Sequence, residues 1–162
     1  MDISSFIGIL ILGFFAEIVD GTLGMAYGVT SNSFLLSIGY APAFASAIVH
    51  TSEVFTTLAS GVSHLTLGNV DKKLAKNLII PGTLAAIIGA YVLVNLSIPM
   101  LKQIIALYLI GMGGIILLRA FRKNIILKQI DTRVLAAIGG FVDAIGGGGW
   151  GPVVTSTLIA NG

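Results

Sequence analysis

Cysteine is missing from this chain and charge is scarce. Without cysteine there is no disulfide framework, no thiolate metal site and no thiol nucleophile. Only 10% of the 162 residues are charged, against roughly 25% in a soluble domain. Hydrophobic residues make up 56%, and the mean hydropathy is +1.00. A soluble protein could not keep that much apolar surface in solution, so the composition is that of an integral membrane protein. The net charge of +2 is small. Its basic residues gather in two loops, which suits orientation in a bilayer and does not suit a nucleic-acid surface. Met1 to Ser5 lacks a basic stretch and a cleavage site, so the N-terminus reads as the start of a retained membrane helix.

Catalytic constellations are also lacking. There is no HExxH, and two histidines make a catalytic metal site an unpromising expectation. No GxSxG elbow holds a nucleophilic serine. Gly146 to Gly151 formally contains GxGxxG, but a dinucleotide fingerprint needs a preceding strand and an acid about 20 residues on. No GK[ST] follows either. The expectation is therefore a non-enzyme that needs no cofactor.

What the chain has is one motif used twice. Asp20-Gly-Thr-Leu-Gly-Met-Ala-Tyr-Gly-Val29, shifted by 123 positions, lies on Asp143-Ala-Ile-Gly-Gly-Gly-Gly-Trp-Gly-Pro152. Val19, Asp20, Gly24, Gly28, Ser33, Leu35 and Gly39 meet identical residues, and Tyr27 meets Trp150. Each glycine costs a helix about 1 kcal/mol relative to alanine. Two such stretches inside apolar sequence predict two interrupted helices.

In chain order, Ile3 to Val19 is a short span, and residues 20–28 should unwind before a helix resumes from Val29 to Ile38. Pro42 opens the next helix, which should run to about Leu65. Its Ser46, His50, Glu53, Thr57, Ser60 and His64 share one face, and such a stripe should look into a bundle or cavity. Asn77 to Leu96 and Met100 to Leu118 are two further spans, each followed or preceded by basic loop residues. Gly82, Ala85, Ala86 and Gly89 make a close-contact face, and Gly111, Gly113 and Gly114 are expected to pack. The divisions are a first transmembrane repeat at 1–121, a basic cytoplasmic loop at 122–133, and the start of a second, apparently incomplete repeat at 134–162. If the first element is re-entrant, the first repeat crosses three times and the second copy is inverted. The fold class is an all-α integral membrane protein: a polytopic helical bundle with inverted repeats and broken or re-entrant helices at the two glycine-rich motifs.

The glycine runs leave backbone N–H groups and positive helix ends facing a cavity, which makes an anion site without arginine. Asp20 and Asp143 either cap the resumed helices or line that pathway, and capping is the preferred reading. Glu53, with His50 beside it, is the candidate for proton coupling, because a carboxyl out of water resists ionisation.

The run Val142-Asp-Ala-Ile-Gly-Gly-Gly-Gly-Trp-Gly-Pro152 resembles the signature of the TauE/SafE sulfite and organosulfonate exporters. Ala47 to Gly61 and Gly68-Asn-Val-Asp71 are similar to the same family, and the likeness covers nearly all of the chain. The resemblance implies an inner-membrane, multi-pass permease exporting small inorganic or organosulfur anions from within the lipid bilayer, with proton coupling as one route. By motif it implies pathway roles for Asp20, Tyr27, His50, Thr51, Glu53, Asp143, Trp150, Gly151 and Pro152, and the polar stripe adds Thr57. Members of the family carry a second counterpart of the His50–Glu53 helix. This chain ends before one, so the expectation is a homo-oligomer, or a second half supplied from elsewhere. The competing reading is a non-transporting scaffold or a subunit of a larger membrane complex.

Overall fold

The computed structural model describes residues 3–95, 100–121 and 130–161, and these are helical throughout, apart from short connections. Seven α-helices follow in order: α1 (Ile3–Leu23), α2 (Tyr27–Ser37), α3 (Pro42–Thr66), α4 (Lys72–Asn95), α5 (Leu101–Phe121), α6 (Thr132–Gly146) and α7 (Ser156–Asn161). A π-helical segment, Trp150–Thr155, joins α6 to α7. Most of the 122–133 loop lies outside the described residues.

Among the described residues, three helices are long and apolar enough to cross a membrane: α1 from Phe6 to Leu23, α4 and α5. Helix α3 has 25 residues, about 37 Å at 1.5 Å per residue, and its polar stripe is what lowers its apolarity. Large apolar side chains lie bare along the outsides, Phe14 and Phe15 on α1 and Leu107 and Ile110 on α5 among them. With the composition, this makes the chain an all-α, multi-pass membrane protein.

Helices α4 and α5 begin or end a turn beyond the uncharged spans of the sequence. The reason at α4 is a cap: Asp71 Oδ1 accepts from the N–H groups of Lys73 (2.8 Å) and Leu74 (3.0 Å). Helix α6 starts the same way, with Asp131 Oδ1 accepting from Arg133 (2.9 Å) and Val134 (3.3 Å). Ordering the first-turn donors lets lysine and arginine sit at these helix starts despite the dipole.

The expected small face of α4 is where it meets α6. Gly82 lies against Ala136 and Gly140, and Gly89 against Phe141 and Ala144. Both partners advance together along the chain, so α4 and α6 run parallel. Their capped, basic ends are therefore at the same level. Helix α3 runs against them: Ser46 reaches Ala144 and His50 reaches Asp143. An apolar cluster including Leu35, Val49, Ile105 and Leu109 holds α2, α3 and α5 together. The glycines of α5 do not pack as expected. A side chain built at Gly111, Gly113 or Gly114 would meet no described atom within 4 Å.

Candidate transport site at the paired helix breaks

Each break is built by an aspartate that reaches forward. Helix α1 does not stop at Asp20; it continues to Leu23, and the interruption falls at Gly24 to Ala26. Asp20 Oδ1 accepts from the N–H groups of Ala26 (2.6 Å) and Tyr27 (3.1 Å), six and seven residues on. Asp143 Oδ1 does the same for Gly149 (2.6 Å) and Trp150 (2.9 Å), at the same two offsets. The helix thus survives past the acid, and the acid clamps the turn that follows. The turn itself needs positive φ, +70° at Gly24 and +66° at its equivalent Gly147, where a side chain would be strained.

Both segments then turn back. Ile9, Gly13 and Phe14 of α1 share the walls of a cavity of about 270 Å³ with Ser31, Phe34 and Leu35 of α2. Val154 likewise returns to Gly139 of α6. Each motif thus folds as a broken helix that doubles back, the broken form being one of the two expected from the sequence.

The hairpins meet at their breaks. A methyl group on Gly28 would sit 2.5 Å from the Gly147 carbonyl oxygen and 2.9 Å from Gly148 Cα. One on Gly151 would sit 2.6 Å from Met25 Cα and 3.3 Å from the Gly24 oxygen. Under the 123-residue shift, Gly28 becomes Gly151, Gly147 becomes Gly24 and Gly148 becomes Met25, so each set of contacts is the image of the other. Fully buried Asn32 ties the pair, its Nδ2 donating to the Gly146 carbonyl.

A cavity of about 480 Å³ opens where the breaks cross. Its walls include Asp20, His50, Glu53, Thr57, Asp143, Trp150, Gly151 and Pro152. Two residues carried over by motif lie elsewhere. Thr51 is exposed and donates to the Ala47 carbonyl, since one residue past His50 is about 100° around the helix. Tyr27 faces the smaller cavity beside α1, although its counterpart Trp150 walls the larger one. Ser60 and His64, further along the α3 stripe, are exposed and do not reach the cavity. Sequence reasoning did not anticipate the α4 wall, Ile79, Gly82, Thr83 and Ala86. The small-residue face was the available signal, and it was assigned to helix packing alone. Gly82 does both jobs. It also seats the Trp150 ring, whose Cζ3 lies 2.8 Å from where a Cβ would be.

The chemistry in the cavity is acidic. Among the described residues that line it, none is lysine or arginine. His50 Nδ1 lies 2.8 Å from Glu53 Oε2, and His50 Nε2 lies 3.3 Å from the Asp143 carbonyl oxygen. With one proton on Nε2 for the Asp143 carbonyl, the Nδ1–Oε2 contact needs one more, which either His50 or Glu53 can carry. Ligand atoms of His50, Glu53 and Asp143 all lie within 4.8 Å of one another, enough in principle for a cation. But Asp143 Oδ1 already holds two N–H groups and Nδ1 already faces Glu53, so the arrangement suits a proton better than a metal ion.

A polytopic helical membrane protein with two aspartate-clamped helix breaks around a small cavity holding His50, Glu53 and both aspartates has the build of a membrane transporter. The comparisons with known proteins agree. The sulfite exporter TauE/SafE model matches residues 9–162, and the chain belongs to that family. The chain is 46% identical over 157 residues to a Bacillus subtilis (strain 168) protein described as probable membrane transporter protein YtnM, a match covering 92% of this chain and 52% of that protein. The chain thus spans about half the length of that relative. No solved structure matches it.

Proposed function

We propose that this chain forms the substrate-binding core of a secondary transporter that exports small sulfur-containing anions, sulfite or organosulfonates, across the cell (inner) membrane, coupled to protons through Glu53 and His50. The observation that carries this reading is the cavity at the crossing of two aspartate-clamped breaks. Its size is within the ordinary range for small-molecule sites, roughly 300–1,000 Å³. The sulfur-anion class follows the family's description.

The N–H groups of Gly28 and Gly151, next after the donors that Asp20 and Asp143 clamp, supply the anion's attraction. Gly28 and Gly151 line the cavity at the starts of the resumed segments, and the lack of side chains lets an anion approach the backbone. Thr57, Thr83 and Thr155 stand in the walls as hydroxyl neighbours. Glu53 and the two aspartates oppose a bare anion. A proton held between His50 and Glu53 removes part of that opposition, so anion and proton favour each other's entry. The mirrored contacts of the breaks support an inverted repeat, in which rocking of one hairpin against the other exposes the cavity to alternate sides.

The test is flux in proteoliposomes loaded with a pH dye, under an imposed sulfite gradient, comparing the chain with Glu53→Gln. The expected result is sulfite flux with an accompanying pH change, both falling at least tenfold in the variant. Trp150 is the sole tryptophan, so its fluorescence reports occupancy independently of flux. Absence of both sulfite flux and a fluorescence response to sulfite would overturn the reading. A pH-coupled flux that persists in Glu53→Gln would remove Glu53 from the mechanism.

The second reading, a non-transporting scaffold or complex subunit, draws on the bare faces of α1 and α5. Cysteines at His50 and Thr57 separate the two readings. Labelling by a water-soluble thiol reagent supports a wet cavity, and full protection supports the scaffold.

A further inference from the structure

The two motifs agree at Gly24 and Gly147, but the second carries glycine where the first has Leu23, Met25 and Ala26: Gly146, Gly148 and Gly149. The crossing accounts for Gly148, where a side chain would meet the Val29 nitrogen at 2.6 Å. The other two face α5. A side chain at Gly146 would overlap the Tyr108 ring, and one at Gly149 would start 2.9 Å from the Tyr108 hydroxyl. The same point lies 2.7 Å from the Asp143 nitrogen and 3.0 Å from its Cα. The phenol is thus pressed against the turn that the Asp143 clamp closes. Helix α3 covers this break too, Ser46 Oγ donating to the Ala144 carbonyl at 3.0 Å. At the first break Leu23 and Ala26 fill the matching positions with side chains. A side chain at Gly21, the counterpart of Ala144, would meet nothing described within 4 Å.

The Tyr108 oxygen is buried and has no hydrogen-bond partner among the described residues. Buried phenols ordinarily bond, and phenylalanine would fill the ring's place without leaving a donor unmet. The acid beside the hydroxyl is Asp143, whose Oδ1 is taken by the N–H groups of Gly149 and Trp150. If those N–H groups leave, a carboxylate stripped of its donors inside protein is costly. The phenol is then the donor at hand.

We infer that Tyr108 is a positioning residue for the second break: its hydroxyl takes over the Asp143 carboxylate when the clamp opens. The opened clamp frees the Trp150 N–H, beside that of Gly151, for the anion. The two extra glycines are the room this exchange needs. Only the second break has such a donor, so it is the second hairpin whose clamp opens and closes, while the first stays shut.

The test is amide hydrogen exchange of the peptide spanning Gly146 to Trp150, followed by mass spectrometry on the whole chain in detergent, with and without Tyr108→Phe. Exchange should slow at least threefold in the variant, and the melting temperature should hold or rise. Both effects have one sign, because the closed state loses an unpaired hydroxyl and the open state loses its donor. In an Asp143→Ala background the slowing should vanish. Unchanged exchange would show the hydroxyl idle in both states and overturn the inference. Faster exchange with a lower melting temperature would overturn it by showing the hydroxyl already bonded in the closed state, through water to Asn32 Oδ1, the other unpartnered atom at this turn. Slowing that persists in Asp143→Ala would overturn it by naming a different partner. The use of the freed N–H rests on the transporter reading, but no readout requires transport, so failure here is distinguishable from failure of that reading.

Discussion

Asp20 and Asp143 each satisfy two backbone donors with one oxygen, across a break in the helix. Losing a cap of this type costs about 0.5–2 kcal/mol. Asp143→Ala should lower thermal stability in detergent by that order, while Asp143→Asn, which keeps an acceptor oxygen, should retain most of it. A loss as large for asparagine as for alanine would show that the negative charge, not the bonds, holds the break. The lone tryptophan gives a second check at this scale. A methyl group at Gly82 displaces the Trp150 ring from its seat on α4 toward the cavity, so Gly82→Ala should shift the emission to longer wavelength. Capping was legible in the sequence because an acid ahead of glycines inside an apolar run has few other uses. The His50–Glu53 pair was legible from helical spacing. Its third member, the Asp143 carbonyl, comes from 93 residues away, and no local pattern encodes that.

At the scale of elements, the glycines divide by what surrounds them. Gly28 and Gly151 sit where two backbones cross, with no room for a methyl group. Gly28→Ala and Gly151→Ala should each separate the hairpins, seen as loss of a monodisperse folded species on size exclusion. Gly13 faces open space within α1, and Gly13→Ala should leave folding intact and add up to about 1 kcal/mol of helix stability. Equal tolerance at Gly13, Gly28 and Gly151 would contradict the crossing. The sequence alone could not sort these residues. Gly111, Gly113 and Gly114 look like packing glycines by spacing, yet none has a described neighbour within 4 Å of a built side chain, whereas Gly82 and Gly140 do meet. Which glycine is crowded depends on a neighbouring helix, and the helix's own residues do not specify it.

At the scale of the molecule, the parallel course of α4 and α6 brings Lys72, Lys73, Lys76 and Arg133 to one end of the bundle. By the positive-inside rule we propose that this end is cytoplasmic. Cysteines at Lys73 and Arg133 should resist an impermeant maleimide in intact cells and react in inverted vesicles. A cysteine at Ser37, at the far end of α2, should behave oppositely. Matching behaviour of Ser37 and Lys73 would rule out the proposed orientation.

By itself, the sequence determined the medium, the helices and the places where they break. These rest on composition, on apolar run length, and on the intrinsic cost of glycine within a helix, all properties of neighbouring residues. It also determined that the two breaks are copies. Only the tertiary structure decided that the copies run past each other glycine to glycine, that Trp150 enters the cavity while its counterpart Tyr27 does not, and that α3 covers one break and leaves the other open. Those outcomes depend on which surfaces come within a few ångströms after the chain has crossed the membrane several times. Equivalent residues in the two copies then have different neighbours, and so take different positions.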